Sequence, residues 1–176
     1  MACEKEQMTQ KLQRWAERTA SYRLPEWETI PDFGLYMDQV IVLMERALKG
    51  VLPEGELTKS MVNNYVKVGL IPRPVGKKYE REHLALLLMI CIFKQALSME
   101  EISILLSMLC KDGVKLGYEQ FLAEVDALRE AASSGRIDLW LERADEQRQA
   151  LRAGVVAAIC TIFARTIIFG AKKEKN

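Results

Sequence analysis

The sequence predicts an all-α protein that contains one short extended element. Apolar residues recur at spacings of three and four through most of the 176 residues, which is the period of an amphipathic helix. Glycine and proline interrupt this pattern at intervals, and the stretch "LIPRPVGKKYE", which contains Arg73 to Tyr79, is too short and too proline-rich to form a helix. Hydrophobic residues make up 49% of the chain, so a sizeable core can be buried.

The first 35 residues are predicted to form one amphipathic helix followed by an irregular connection. Met8, Leu12, Trp15 and Tyr22 supply the apolar face of the helix. Prolines and a glycine punctuate the connection, so no regular element is predicted there. The length of the chain favours one domain, or one domain with an appendage.

Residues 36–112 are predicted to form a module of four helices with the extended element in its middle. The first helix contains "MDQVIVLMERALKG" and ends at Gly50, and the second begins after Thr58 and ends at Gly69. Threonine is a favourable N-cap and glycine a favourable terminator, so both helices have clear chemical boundaries.

The third helix of the module follows the extended element and begins at Arg81. Its sequence, "REHLALLLMICIFKQAL", is apolar on nearly every side, which predicts a central helix buried on all faces. His83, early in this helix, is expected to have a structural or capping role. Ser98 and Glu101 have the spacing of a capping box, in which each side chain accepts a backbone N–H from the other residue, and they open the fourth helix.

Residues 113–176 are predicted to form two further helices, the second running from Ile137 to about Ile168. The end of this long helix, "GVVAAICTIFARTIIFG", is apolar on all sides, and a monomer would not tolerate such a surface well. The stretch is shorter than the roughly 20 residues that cross a membrane, and Arg165 interrupts it. We therefore expect a homodimer paired through this helix and no stable membrane insertion.

The sequence carries no signature of an enzyme, a metal site or a bound cofactor. The four cysteines are scattered without metal-ligand or redox spacing, and there is a single histidine. No glycine-rich phosphate loop, activated nucleophile or recognisable pair of carboxylates is present. Cys91, Cys110 and Cys160 lie in apolar helical segments and are expected in the core. The N-terminus is charged and has no apolar signal core, so we expect a cytoplasmic protein.

Positive charge is concentrated in the middle of the chain, although the whole chain carries a net charge of only +1. Between Thr58 and Lys94 there are seven lysines and arginines and two glutamates, a net charge of +5. The residues before this block carry −3 and those after it −1. One basic block on a nearly neutral protein indicates a polyanionic partner.

A polar stripe follows one edge of the short helix within this basic block. Ser60, Asn63, Asn64 and Lys67 fall at positions i, i+3, i+4 and i+7, which share one helix face. Each asparagine costs about 0.5–0.7 kcal/mol relative to alanine in a helix, so two in a row break a local rule. Asparagine can bond adenine in the major groove, and serine or lysine can hold phosphates.

The extended element that follows adds a second group of cations. Arg73, Lys77 and Lys78 lie on a short, proline-stiffened segment, and Gly76 permits a tight two-stranded turn. Cations that are already ordered lose less entropy when they dock on phosphates. A polar-faced helix followed by a basic turn is the layout of a winged helix-turn-helix with a small β wing, and the preceding helix supports it.

The stretch "LTKSMVNNYVKVGLIPRP…KKYEREHLALLLMICIFKQALSMEEISILL" resembles the DNA-binding module of MerR-type transcriptional regulators. Tyr65 matches the second aromatic of the family's helix, "GLIP" its exit, Tyr79 the end of the wing, and "SMEE" the start of the last helix. The stretch looks still more similar to a MerR-related bacterial domain family of unknown function. The resemblance implies a sequence-specific DNA-binding regulator that dimerises through a long C-terminal helix.

The expected DNA-contacting residues lie on the short helix, on the extended element and at the start of the next helix. The set is Lys59, Ser60, Asn63, Asn64, Tyr65, Lys67, Arg73, Lys77, Lys78, Tyr79 and Arg81. The two tyrosines in it are expected to pack with a hydroxyl at the surface. An arginine usually stands where Asn63 is in MerR proteins, so a protein–protein adaptor that kept the fold without binding DNA is the competing hypothesis. The sequence leaves a small-molecule effector unidentified.

Overall fold

The computed structural model describes residues 23–49, 52, 57–134 and 146–173, and within these ranges the protein is all-helical. The α-helices are α1 (Met37–Leu48), α2 (Lys59–Lys67), α3 (Arg81–Phe93), α4 (Met99–Leu109), α5 (Val114–Ser134) and α6 (Glu146–Lys173). A 3-10 turn, Trp27–Thr29, precedes them. The all-α prediction is confirmed. The helix expected before residue 23 and the start expected for the last helix at Ile137 lie outside the described ranges.

Helix α3 is the centre of the molecule. Every residue from His83 to Phe93 is buried, as the absence of a polar face in this segment predicts. Helices α1, α5 and α6 pack around it, and α4 packs against both α5 and α6. One continuous apolar core extends from Leu24 to Ile162, so described residues on both sides of the 36–112 module share its core.

Helix α6 is held to α5 by a buried cluster of charges. Glu124 of α5 is only 2% exposed and accepts hydrogen bonds from Arg148 and Arg152 of α6, with the Arg152 Nε–Oε2 distance at 2.8 Å. Closer to the end of α6, Arg165 donates to the buried side chain of Gln95. A buried carboxylate is tolerated only when it is paired, so these contacts fix how α6 lies on the bundle.

The helix boundaries agree with the capping residues identified in the sequence. The Thr58 hydroxyl accepts the Met61 N–H at 3.3 Å. Ser98 N–H donates to the Glu101 carboxylate at 2.7 Å, and Glu101 N–H donates back to the Ser98 hydroxyl, which completes the capping box. His83 Nδ1 accepts the Glu80 N–H at 3.0 Å, so the predicted capping role of this histidine is confirmed.

The free cysteines differ in burial. Cys91 is buried and Cys110 is half-buried, whereas Cys160 is exposed. The prediction that Cys160 lies in the core is therefore wrong. The reason is that α6 packs through Leu151, Val155, Ala158 and Ile162, and Cys160 lies on the opposite side of the helix.

The part of the chain that the structure describes contains helices of up to 28 residues. No helix in it combines the length and the apolar character needed to cross a membrane. No three histidine, cysteine, aspartate or glutamate side chains in it are grouped as ligands for a metal ion.

Candidate nucleic-acid interface

Helix α2 is fixed to the core by one face and presents its polar stripe to solvent. Val62 and Tyr65 are buried, and the helix packs against α1. Ser60, Asn63, Asn64 and Lys67 are all exposed, together with Lys59 at the start of the helix. The stripe predicted from the spacing is therefore accessible to a partner.

The chain leaves α2 in a defined direction. Gly69 adopts a φ of 79°, a left-handed conformation that glycine adopts without steric cost. The carbonyl oxygen of Tyr65 then accepts the N–H groups of Leu70 at 2.9 Å and Ile71 at 3.3 Å. Leu70 and Ile71 are buried, and Arg73 two residues later is exposed. The loop that follows the helix therefore starts from an anchored position.

The extended element ends in a tight turn whose tip is basic. Lys78 N–H donates to the Val75 carbonyl at 3.0 Å, and the two residues between them, Gly76 and Lys77, have φ angles of 58° and 62°. Two consecutive positive φ angles indicate a type I′ geometry, the usual two-residue hairpin turn. Lys77 adopts this conformation without being a glycine, and both Lys77 and Lys78 are exposed.

The turn is attached to the segment that precedes α1. Leu35 and Tyr79 exchange backbone hydrogen bonds at 2.9 and 2.8 Å, and the ammonium of Lys78 lies 5.8 Å from the centre of the Tyr36 ring. These pairings are isolated bridges, so in the described residues the predicted β wing contains no regular strand. Proline residues just before the turn supply no N–H for a longer ladder, which explains the short pairing.

Tyr65 and Tyr79 do not contribute rings to the exposed surface. They are 2% and 4% exposed, so both rings belong to the core. Tyr79 lies edge-on to His83, with the ring centres 5.6 Å apart, and burial raises the pKa of its phenol. Neither ring can reach a nucleic acid in this arrangement, because the core would have to open.

Two of the predicted cations are already paired with acids. Arg81 contacts Glu28 at 3.3 Å and Asp32 at 3.9 Å, and its side chain is only 20% exposed. Lys59 forms an ion pair with Asp38 of α1. These contacts tie α3 and α2 to the preceding segments, so both side chains serve the fold in the absence of a partner.

Four other cations of the basic block remain available. Lys67, Arg73, Lys77 and Lys78 are exposed and make no ion pair with another described residue. Surface cations gain little from isolated ion pairs in water, but several together attract a polyanion through long-range electrostatics. With the stripe on α2, these four side chains define the candidate surface: Ser60, Asn63, Asn64, Lys67, Arg73, Lys77 and Lys78.

Sequence reasoning did not identify Tyr36 as part of this region. Tyr36 is 54% exposed, and the pairing of Leu35 with Tyr79 brings its ring beside Lys78. The two segments are far apart in the sequence, and no local pattern around Tyr36 signals the pairing. The apolar alternation of Leu35 and Met37 around it is compatible with either a strand or a helix start.

Comparison with known proteins gives one match. Residues 25–121 match the family model described as "Domain of unknown function (DUF1836)", which covers more than half of the chain and all of the candidate surface. Neither a curated protein nor a solved structure gives a significant match.

Proposed function

The chain belongs to the DUF1836 family, and we propose that it is a sequence-specific DNA-binding transcriptional regulator with a MerR-like winged helix-turn-helix module. The proposal is supported by the way in which α2 and the following turn divide their side chains between the core and solvent. Val62, Tyr65 and Tyr79 are in the core, while two adjacent amides, a hydroxyl and four cations that form no ion pair with another described residue are exposed.

In the proposed complex, α2 is the recognition helix and α1 supports it from behind. Asn63 and Asn64 face the base edges of the major groove, where an amide can accept from adenine N6 and donate to N7. Ser60 and Lys67 flank them on the same helix edge and bind the sugar–phosphate backbone. The two asparagines carry the sequence information, because contacts to phosphate are the same for every sequence.

Phosphates on either side of the groove are held by the wing in this proposal. Arg73, Lys77 and Lys78 supply three cations from a segment that is anchored at both ends, at Tyr65 and at Leu35. Lys59 and Arg81 contribute less, because each would have to exchange an existing carboxylate partner for a phosphate. The wing therefore provides most of the affinity and α2 most of the specificity.

We further propose that two chains pair through α6 in the cytoplasm, so that two modules read two half-sites. Helix α6 spans 28 residues, and its exposed face carries Ala153, Cys160 and Ala164. Small side chains allow a second helix to approach closely. Sedimentation analysis tests this part: a mass twice that of the 20.1 kDa chain supports it, and a monomer at micromolar concentration contradicts it.

The main experiment measures the salt dependence of binding to duplex DNA. We expect the wild-type chain to bind a pool of random duplexes at low salt, with a log–log slope set by the phosphates it contacts. Replacing both lysines of the turn in Lys77→Ala/Lys78→Ala removes two contacts, so the slope should fall by roughly 1.8. Selection of bound sites from the pool then gives the preferred sequence.

A matched variant controls for the loss of positive charge. Lys49→Ala/Lys111→Ala removes two exposed lysines outside the candidate surface and should leave the slope unchanged. Equal slopes for the wild type and the turn variant would contradict the wing assignment. No binding of duplex DNA by the wild type at low salt would contradict the regulator proposal and favour the adaptor.

A further inference from the structure

We propose that Tyr36 is a positioning residue of this surface, and that its ring holds the Lys78 ammonium in place for a DNA phosphate. This inference rests on the proposed DNA-binding function and adds a residue to it. It comes from the way in which the turn is paired with the segment before α1, where Lys78 lies 5.8 Å from the ring centre of Tyr36.

The pairing places Val75, Lys78 and Tyr36 in one outward-facing row. Val75 is paired with Lys78 across the turn, and Leu35 is paired with Tyr79. Side chains alternate between two faces along extended backbone, and directly paired residues share a face. Because Leu35 and Tyr79 face the core, their neighbours Tyr36 and Lys78 face solvent, and Val75, 83% exposed, faces solvent with them.

Gly34 leaves room for the Lys78 side chain on the same face. A Cβ atom at position 34 would lie 2.7 Å from Cβ and 3.1 Å from Cδ of Lys78, which is closer than van der Waals contact allows. The methylene chain of Lys78 therefore lies across Gly34, and its ammonium reaches the Tyr36 ring. A larger residue at position 34 would push the lysine out of this path.

The backbone that carries the ring is fixed by hydrogen bonds on both sides. Tyr36 N–H donates to Gln39 Oε1 at 2.9 Å, and the preceding residue is fixed by its two bonds to Tyr79. The lysine thus has a defined aromatic partner before any DNA arrives. A cation over an exposed aromatic ring gains about 0.5–1 kcal/mol, which corresponds to a two- to fivefold change in affinity if the same geometry is used in the complex.

The experiment uses the full chain, a duplex selected by the wild type from a random pool, and a series of salt concentrations. Tyr36→Leu removes the ring but no charge, so we expect two- to fivefold weaker binding with an unchanged salt slope. Lys78→Ala should lower the slope by roughly 0.9. The double variant should bind no more weakly than Lys78→Ala, because the ring acts only through the lysine.

Two matched variants separate the ring from other effects. Tyr36→Phe keeps the ring without the hydroxyl and should bind as the wild type does. Phe33→Leu removes another exposed aromatic ring from the same segment and should also leave binding unchanged. In the free protein, ring-current shifts of the Lys78 side-chain protons should be present in the wild type and lost in Tyr36→Leu.

The outcomes distinguish this inference from the function on which it rests. Wild-type binding that is weakened by Lys78→Ala but not by Tyr36→Leu would overturn the role of Tyr36 and leave the DNA-binding proposal intact. Losses that add fully in the double variant would also overturn it, since they would indicate a contact independent of the lysine. Absence of wild-type binding would overturn both proposals together.

Discussion

Helices α2 and α3 show two opposite uses of a short helix in one chain. In α3, eleven of thirteen residues are buried, and nearly every side chain is committed to packing. In α2, two of nine residues are buried, and these suffice to fix the helix on the core. Met61 and Val66 add partly buried contacts with the core. Asn63, Asn64 and Lys67 of α2 are exposed, so these side chains are available for a partner.

Burial determines where a substitution should affect stability and where it should affect binding. Loss of a buried contact costs free energy of folding, whereas loss of an exposed polar residue costs little. A side chain that is unfavourable for its own helix and contributes nothing to the core is a candidate for function. Asn63 and Asn64 meet both conditions.

The largest effect on stability is expected at the buried charge cluster that joins α5 and α6. Glu124→Ala leaves Arg152, whose side chain is only 9% exposed, without its carboxylate, so the free energy of unfolding should fall by about 3–5 kcal/mol. Glu119→Ala removes an exposed carboxylate from the same helix and should change the free energy of unfolding by less than about 0.5 kcal/mol. Urea unfolding measures both values, and equal losses would contradict the assignment of Glu124 as a buried tether.

The two helices can be compared directly by a pair of alanine substitutions. Leu88→Ala in α3 creates a cavity at a fully buried position and should lower the free energy of unfolding by about 2–5 kcal/mol. Asn64→Ala in α2 should raise it by about 0.5 kcal/mol, because alanine is the better helix former. The same Asn64→Ala variant should lose affinity for its selected duplex. A clear loss of stability in Asn64→Ala would show that this amide serves the fold instead.

A smaller effect is expected at the tip of the turn. Lys77 holds a left-handed conformation at φ 62°, so Lys77→Gly should raise the free energy of unfolding by up to about 1 kcal/mol. The substitution also removes a cation, so the salt slope of DNA binding should fall by roughly 0.9. Thermal unfolding and binding titrations of one variant test both parts. A variant that is less stable, or that binds with the wild-type slope, would argue against a functional reason for lysine here.

The smallest effect is expected at Glu28, which lies before α1 and pairs with Arg81 of α3 and Lys115 of α5. The ammonium of Lys115, with Arg81 adding to it, holds the pKa of Glu28 below its ordinary value of 4.5. A lowered pKa in the folded state means that Glu28 contributes stability above pH 4.5 and loses this contribution as pH falls through the folded value. The difference in Tm between the wild type and Glu28→Gln should therefore shrink below pH 4.5. A difference that grows in acid would contradict this sign.

Sequence patterns predicted what depends on local chemistry. The start of α2 after Thr58, the capping box of Ser98 and Glu101, and the buried α3 follow from side chains within a few residues of each other. The exposure of the α2 stripe follows from helical spacing alone, because the apolar residues of the same helix can occupy only the other side.

Long-range contacts decided the features that sequence patterns could not predict. Arg81 was expected to contact DNA, but in the folded chain it is paired with Glu28 and Asp32. Tyr79 belongs to the core because its backbone pairing with Leu35 turns it inward, and the same pairing brings Tyr36 to the surface beside Lys78. None of these partners lies close in sequence, so no window of neighbouring residues carries the information.

The most direct test of the account is an amide NMR titration of the full chain with a duplex selected from a random pool. If the candidate surface binds DNA, chemical shifts should change first at the exposed positions of α2 and the turn, while the amide shifts of the buried α3 should not change. The positions expected to change include Asn63, Asn64, Lys77 and Lys78. Shift changes confined to the outer face of α4 around Ile104, or no changes at saturating duplex, would contradict it.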